Sequence, residues 1–292
     1  MDYINKFEAF LEKERNVSPT TLSAYMADIQ EFDAFVKERS KVLERVGNAD
    51  IAAFLMHLQH QGKSNSTINR KLASVRQFYN YMISDGRIHH DPTFNIKPPK
   101  VERKELEYLS VEEIGRLLDA PDESVRGLRD KALLEVMYAT GLRASEICDA
   151  EINDVDFRIG YINVRSQKKA RVVPIGKPAR AALKAYLDNS RAALLGDKED
   201  CNALFLSYLG EKLTRQGIWK ILKFYEDKLE LKIKLSPQVI RNSFAAHLIQ
   251  NGADLKSLQE LLGHEDIMAT KIYLTVTKNR IMDVYDRAFP RA

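Results

Sequence analysis

The chain is poor in cysteine and has no long hydrophobic run. Its 292 residues include two cysteines, Cys148 and Cys201, which are too few for the disulfide framework of a small secreted domain. No apolar stretch approaches the roughly 20 residues that a transmembrane helix needs. The N-terminus lacks the basic, apolar and small-residue segments of a signal peptide. We therefore expect a cytoplasmic protein that does not act in a membrane.

Common cofactor motifs are also missing. The sequence has no glycine-rich phosphate loop, no Gly-x-Gly-x-x-Gly fingerprint and no Gly-x-Ser-x-Gly nucleophile elbow. His57, His60 and the adjacent His89 and His90 have no cysteines or carboxylates at the spacing of a metal site. We expect no metal and no nucleotide or flavin cofactor.

The charge balance is only mildly basic, with 45 Lys and Arg against 41 Asp and Glu and a net charge of +4. A DNA-binding face would therefore depend on where the basic residues lie, because their excess is small. The length is sufficient for two domains that each have a core.

Apolar residues recur at helical spacing through residues 2–84 and predict four helices. Ser18 and Pro19 open the second helix, Asp50 is the expected cap of the third, and Ser64 or Ser66 caps the fourth. The pattern predicts a compact helical domain at residues 1–86.

Residues 87–107 interrupt this pattern with prolines and with the basic residues Lys97, Lys100, Arg103 and Lys104. The composition predicts an extended linker between two domains. Such a linker would be either a solvated spacer or a strap that lies along phosphates.

Residues 108–292 predict a mixed α/β domain that is mainly helical. Ser110 and Glu113 form a capping-box pattern, and Gly141 is the expected end of a later helix. Alternating apolar residues predict a hairpin of strands 161–164 and 172–175 around a basic turn at 166–170. Further helices are expected at 177–188, 215–229, 238–251, 255–262 and 267–274, with a last helix or tail at 277–289.

Residues 235–276 contain the most suggestive group of side chains. Ser236 followed by proline marks a helix start, after which Arg241, His264 and Tyr273 could converge on one bound group. An arginine can hold a phosphate and a tyrosine can attack it, so the set suggests covalent phosphoryl transfer. Each residue taken alone also fits a structural role.

Arg143 lies just after a predicted helix end and at the start of the next helix, where its guanidinium could share an anion with backbone N–H groups. Glu146, one helical turn further on, could hold it in place. The ordinary alternative is a surface Arg–Glu pair of little consequence.

Several stretches together resemble the tyrosine recombinase (phage integrase) family and its Xer-type members. They are Tyr138-Ala-Thr-Gly-Leu-Arg-Ala-Ser-Glu, Arg171-Val-Val-Pro, Leu235-Ser-Pro through Arg241, Asn251-Gly-Ala-Asp-Leu, Leu261-Leu-Gly-His, Ile272-Tyr, Ser18-Pro-Thr-Thr-Leu-Ser-Ala-Tyr and Thr67-Ile-Asn-Arg-Lys-Leu. The resemblance spans nearly the whole chain in order. It implies a helical N-terminal core-binding domain and a mixed α/β catalytic domain that act on double-stranded DNA without a cofactor.

The resemblance also implies residue roles. Tyr273 would be the nucleophile that forms a 3′-phosphotyrosine, Arg143 and Arg241 would hold the non-bridging phosphate oxygens, and His264 would add a hydrogen bond. The proteins would act as a tetramer on two sites, either alone or with a second recombinase, in chromosome dimer resolution or mobile-element integration and excision. A C-terminal arm anchored by Tyr285 and Phe289 would pack into a neighbour.

Two positions depart from the family pattern. Gln238 stands where the family usually has a histidine, and the usual hairpin lysine falls on Ser166, so Lys168 is the expected general acid with Lys169 as the second choice. These changes leave two main hypotheses: a slow or controlled recombinase, or a DNA-binding accessory protein with weakened catalysis. A cofactor-free hydrolase that uses His264 is a third, less favoured hypothesis.

Polar and basic residues on the second and fourth helices are the candidates for DNA contacts, with a solvated helix face as the alternative. They are Thr20, Thr21, Asn69, Arg70, Lys71 and Arg76, with Lys169 added from the hairpin.

Overall fold

The computed structural model describes residues 2–13, 15, 17–101, 105–165, 170–199, 201–264, 266 and 269–273. Contacts divide the chain into two units, residues 1–104 and 105–292. Within the described part, no helix is long and apolar enough to span a membrane.

The first unit consists of four helices, α1 (Asp2–Lys13), α2 (Pro19–Glu38), α3 (Asn48–His60) and α4 (Asn65–Ser84), with a 3₁₀ turn at Leu43–Arg45. The Ser18 and Ser64 hydroxyls cap α2 and α4 by accepting from the backbone N–H three residues later. The prediction that Asp50 caps α3 is wrong. Gly47 is the N-cap, and the Asp50 carboxylate reaches back one turn to accept from the Gly47 N–H at 2.9 Å.

The core of the first unit is aromatic. Phe32 of α2 meets Phe54 of α3 edge-on with ring centroids 4.9 Å apart, and Phe7 of α1 meets Phe78 of α4 in the same way at 5.3 Å. These rings are fully buried and hold the four helices together.

Much of the predicted linker is bonded to the first unit. An extended segment leaves its carbonyls without helical partners, and side chains of α3 and α4 supply them here. Asn48 donates to Phe94 O at 2.7 Å, Asn65 to Lys100 O at 2.9 Å, Asn69 to Pro99 O at 3.1 Å, and Arg76 to Ile96 O. This bonding does not fit a free spacer, although Lys97 and Lys100 still expose their side chains. Arg103 and Lys104 lie outside the described residues.

The second unit is mainly helical with one small sheet, as predicted. Its helices are α5 (Val111–Asp119), α6 (Val125–Thr140), α7 (Ala144–Asp149), α8 (Lys177–Asn189), α9 (Arg191–Leu195), α10 (Arg215–Leu229), α11 (Pro237–Gln250) and α12 (Leu255–Leu262), with 3₁₀ turns at Ile152–Asp154 and Lys271–Tyr273. The capping box of Ser110 and Glu113 and the left-handed helix end at Gly141 are confirmed. The expected helix at 267–274 is, in its described part, only the turn Lys271–Tyr273.

The sheet has three antiparallel strands in the order β1 (Val155–Asp156), β2 (Tyr161–Val164) and β3 (Arg171–Pro174). Ile162, Val164 and Val173 face the core, while Tyr161 and Val172 are exposed, which is the alternation of a half-buried sheet. The hairpin register pairs Val164 with Arg171. Residues 166–169 of the turn, which include Ser166, Lys168 and Lys169, lie outside the described residues.

Helix α11 lies deep in the second unit. Nearly all of its residues from Pro237 to His247 are buried, since α11 packs against α6, α10 and α12. A polar residue on this helix therefore has to find its hydrogen-bond partners inside the protein.

Candidate active site

The site forms where the end of α6, the start of α7 and the end of α12 meet. Gly141 ends α6 with φ of 59°, and a Cβ atom there would lie 2.4 Å from the Phe244 ring. Only glycine fits this left-handed conformation and close contact. Arg143 follows this turn as the N-cap residue of α7. Its backbone N–H donates to Glu146 Oε2 at 2.7 Å.

Three arginines from different elements converge on the C-terminal end of α12. Consecutive backbone carbonyls each accept from one of them: Leu261 O from Arg171 Nε at 2.9 Å, Leu262 O from Arg241 at 2.7 Å, and Gly263 O from Arg143 at 3.3 Å. The end of a helix carries partial negative charge on its free carbonyls, which favours nearby cations. The fold thus collects the guanidinium groups that an anionic substrate requires.

Arg241 is the most buried of the three, with 3% of its surface exposed. Besides Leu262 O, its guanidinium donates to Gly141 O and to His264 Nε2 at 3.0 Å. Burial and then the charge of Arg143 lower its pKa to about 10. Arg241 therefore remains a cation at neutral pH.

The hydrogen bonds of His264 identify its tautomer. A guanidinium only donates, so Nε2 must be the acceptor, and Nδ1 carries the proton that it donates to Thr270 Oγ1 at 2.8 Å. Burial, followed by the charges of Arg241 and Arg143, lowers the pKa of His264 to about 4. The imidazole is neutral at physiological pH.

Tyr273 is buried, with 2% exposed, and its hydroxyl lies 3.2 Å from Asn242 Oδ1. The amide Nδ2 of Asn242 donates to the Glu107 carbonyl at 2.9 Å, which can only accept, so Oδ1 must face the phenol. Tyr273 therefore donates its proton to an amide oxygen. Burial raises the pKa of Tyr273, and the charges of Arg241 and Arg143 oppose the rise.

Gln238 lies at the start of α11 with an exposed side chain. Its Nε2 donates to the same Asn242 Oδ1 at 2.8 Å. Gln238 and Tyr273 thus share one acceptor. Gln238 stands where the family usually has a histidine, and the Asn242 side chain connects it to the Tyr273 hydroxyl.

Glu146 lies between two arginines. Its Oε1 accepts from Arg143 at 3.1 Å and from Arg171 at 2.7 Å, and its Oε2 accepts from Arg171 at 2.9 Å. Burial by itself would raise the pKa of Glu146, but the hydrogen bonds from Arg171 and the Arg143 N–H lower it. The side chain is an anion that supports two cations.

The candidate DNA contacts of the first unit have varied settings. Thr20 is exposed at the start of α2, and Thr21 bonds to the Ser18 hydroxyl at 2.8 Å. Arg70 pairs with Asp28 but keeps 49% of its side chain exposed.

Other candidates of the first unit are engaged within the protein. Lys71 is 6% exposed and bonds to Asp28 at 2.9 Å and Glu31 at 2.6 Å. A phosphate contact by Lys71 does not fit this burial, because its ammonium would have to leave two carboxylates. Asn69 and Arg76 bind the 91–101 segment, as described above.

Three residues of the site were not singled out from the sequence: Arg171, Asn242 and Thr270. Arg171 belongs to a stretch that resembles the family, and Asn242 directly follows Arg241 in the chain. Neither periodicity nor a motif indicated what they contact, because their partners are up to 135 residues away, as with Asn242 and Glu107.

The chemistry of this arrangement is that of an anion site. Among the described residues, no group of three His, Cys, Asp or Glu side chains could hold a metal ion. The guanidiniums of Arg143 and Arg241, the neutral imidazole of His264 and the phenol of Tyr273 lie around the end of α12, beside Arg171. Such a set can hold the oxygens of a phosphate and present a hydroxyl nucleophile to it.

Each of the two units matches a known protein family domain. Residues 4–86 match the phage integrase N-terminal SAM-like domain, and residues 107–280 match the phage integrase family domain. Among solved structures, the XerA recombinase is 27% identical with a TM-score of 0.56, covering 100% of this chain and 99% of that one. The XerH recombinase bound to a palindromic difH substrate is 22% identical with a TM-score of 0.75, covering 96% and 83%.

Curated relatives are similar over nearly the full length. The putative tyrosine recombinase TTE1313 of Caldanaerobacter subterraneus subsp. tengcongensis is 42% identical, covering 99% of this chain and 98% of that protein. The tyrosine recombinase XerD of Oceanobacillus iheyensis is 38% identical with the same coverage. The two domain matches and these relatives show that the chain belongs to the phage integrase family, as a site-specific DNA recombinase of the Xer tyrosine type.

Proposed function

We propose that this recombinase cuts and rejoins double-stranded DNA through a covalent 3′-phosphotyrosine on Tyr273. The observation that carries the proposal is the convergence of Arg143, Arg241 and His264 on the end of α12, close enough to Tyr273 for both guanidinium charges to act on its phenol.

In the cleavage step the Tyr273 oxygen loses its proton and forms a bond to the scissile phosphorus. The bond from phosphorus to the 5′ oxygen breaks, and this oxygen takes up one proton, so that no proton is consumed overall. Negative charge develops on the non-bridging oxygens, and Arg143 and Arg241 stabilise it. Rejoining reverses these steps with a different 5′-hydroxyl. One phosphodiester replaces another, so no nucleotide hydrolysis is needed.

The two arginines contribute differently. Arg241 is fixed by three hydrogen bonds in the interior. Arg143 keeps 44% of its side chain exposed and has longer contacts, at 3.1 and 3.3 Å. We therefore assign Arg143 to the adjustable contact with DNA and Arg241 to the fixed one.

The side chains available for proton transfer depart from the family pattern. Neither the Asn242 amide nor the Gln238 amide can take up the phenol proton at neutral pH. We keep Lys168 as the proposed acid for the leaving 5′ oxygen, with Lys169 as the second choice. A missing acid–base group costs about 10²–10⁴-fold in rate, so we propose a slow or controlled enzyme.

The partner that we propose is duplex DNA, held by a tetramer of this chain on two sites or by this chain with a second recombinase. Solved structures with a similar fold include recombinases bound to DNA, among them the XerH complex and a lambda integrase dimer on a core site. Thr20, Thr21 and Arg70 remain the candidate contacts of the first unit, and Lys97 and Lys100 fit the phosphate-strap hypothesis.

The proposed arm with Tyr285 and Phe289 lies outside the described residues. Both chromosome dimer resolution and mobile-element integration or excision fit, and we propose a cytoplasmic location.

The test is covalent capture on nicked suicide DNA built from a site selected by tight binding at moderate salt. We expect a denaturation-resistant adduct that Tyr273→Phe abolishes. Tyr225→Phe is the matched control, because Tyr225 is also a buried phenol that donates a hydrogen bond, to Asp130 at 3.1 Å. It should keep the adduct.

Failure of the unsubstituted protein to form an adduct on a well-bound site would favour the accessory-protein hypothesis instead. The relatives are themselves named recombinases and do not favour that alternative. The hydrolase hypothesis lacks support, because the His264 lone pair on Nε2 already accepts from Arg241.

A further inference from the structure

Arg171 starts β3, yet its side chain bonds to two other elements. Its fork donates to both oxygens of Glu146 in α7, at 2.7 and 2.9 Å, and its Nε donates to Leu261 O at the end of α12. Only 9% of the side chain is exposed. Glu146 therefore occupies the Nη1–Nη2 edge of the guanidinium and Leu261 O occupies its Nε, so Arg171 is poorly placed to bind DNA itself.

We propose that Arg171 is a positioning residue that keeps Arg143 available for the scissile phosphate. This inference rests on the proposed function. Arg171 lies on a hairpin strand and would act on the reaction through Glu146, which it shares with Arg143.

The first argument concerns charge. Arg143 and Arg171 share one carboxylate, so the three side chains carry a net charge of +1. Without Arg171, Glu146 would pair with Arg143 alone, and a closed pair has no net charge to offer an anion. Arg171 makes the shorter contacts with Glu146, at 2.7 and 2.9 Å against 3.1 Å for Arg143. Of the two guanidiniums, that of Arg171 therefore holds the carboxylate more closely.

The second argument concerns geometry. Arg171 binds the first of the three carbonyls at the end of α12, and the next two bind Arg241 and Arg143. It therefore fixes the backbone that aligns the other two arginines. Gly263 leaves room for this contact: its φ is 62°, and a Cβ atom there would lie 2.8 Å from the Arg171 guanidinium.

Arg171→Lys is the informative variant, because it retains the positive charge but loses the bidentate fork. We expect single-turnover adduct formation to slow by about 10- to 100-fold, as misplaced catalytic groups typically cause, while DNA affinity changes little. Arg129→Lys is the matched control. Arg129 is equally buried and bonds to Asp130 and to Leu206 O, but it lies away from the site. The Arg129→Lys variant should form the adduct at an unchanged rate. Thermal unfolding verifies that both variants are folded.

A double-mutant cycle tests the route through Glu146. Once Glu146→Gln has been introduced, adding Arg171→Lys should slow cleavage by no more than about threefold further, since residues in one network are not additive. Losses that multiply, or an Arg171→Lys variant that cleaves as fast as Arg129→Lys, would overturn the proposal.

A second readout does not depend on cleavage. Inorganic phosphate can be titrated while the His264 imidazole resonance is followed by NMR, with His264→Gln used for assignment. We expect Arg171→Lys to weaken phosphate binding and Arg129→Lys to leave it unchanged. Weaker binding in a protein that forms no Tyr273 adduct would refute the recombinase mechanism and retain the role of Arg171. Equal phosphate affinity in both variants would refute that role.

Discussion

At the scale of single residues, burial and then neighbouring charge set the protonation states of the site. Burial, followed by the charges of Arg241, Arg143 and Arg171, lowers the pKa of His264 against the opposing charge of Glu146 and holds the imidazole neutral. Tyr273 donates to Asn242, whose amide cannot accept the proton itself. In this state the nucleophile is protonated and the imidazole is uncharged, so an incoming phosphate supplies the negative charge that the cluster can bind.

The pKa of His264 predicts how stability depends on pH. The folded value of about 4 lies below the unfolded value of about 6.5, so between these limits the unfolded chain binds more protons. The contribution of His264 to the free energy of unfolding is therefore complete above pH 6.5 and falls as the pH drops toward 4. Urea unfolding at pH 7, 6 and 5 should show a steeper loss for the parent protein than for His264→Asn.

His247, whose pKa is also lowered by burial, acts with the same sign in both proteins and cancels in the comparison. Substitution of the exposed His60 by Asn provides the control. A difference between parent and His264→Asn that stays constant with pH would contradict the lowered pKa of His264.

At the scale of elements, the site is made from helix ends. Gly141 ends α6 and Gly263 ends α12, both in the left-handed conformation, and Arg143 begins α7. The sequence indicated each of these boundaries because caps and stops are local signals. It contained no local signal that the free carbonyls of α12 would bind three arginines, since all three come from other elements of the chain.

Gly263→Ala tests the role of this helix end. The left-handed φ should destabilise the protein by about 1–2 kcal/mol, and the new methyl group should push Arg171 out of place. Gly252→Ala is a matched control, because Gly252 also has a positive φ, of 93°, but no other atom lies within 4 Å of the position that its Cβ would take. Both should lower the free energy of unfolding in urea, and only Gly263→Ala should also slow adduct formation. Equal cleavage rates would show that the contact with Arg171 does not matter.

At the scale of the whole molecule, each unit has its own core and its own polar organisation. In the first unit, Asp28 binds Arg70, Lys71 and Ser74, so several basic residues of α4 hold helices together. The segment that follows α4 adds exposed positive charge at Lys97 and Lys100. The position of basic residues, and not their number, determines where phosphate contacts can form.

The phosphate-strap hypothesis predicts a change in salt dependence. Each lysine that neutralises a phosphate contributes about 0.9 to the slope of log affinity against log salt. Replacing both Lys97 and Lys100 by Gln should therefore reduce that slope by about 2. Fluorescence anisotropy from low to moderate salt measures it. Lys37→Gln, which removes an exposed lysine already paired with Asp33, should not change the slope. An unaltered slope in the double variant would favour a segment that does not touch DNA.

The sequence alone indicated most of the helix starts and stops, the hairpin, and Arg143, Arg241, His264 and Tyr273 as one candidate set. Caps, periodicity and motif order depend on neighbours a few residues apart, so they can be read along the chain. The tertiary structure was needed to show that Asn242 accepts from Tyr273, that Arg171 shares Glu146 with Arg143, and that Lys71 is buried. These contacts join residues that are 25 to 43 positions apart, and their geometry follows from how α4, α7, α11, α12 and β3 pack.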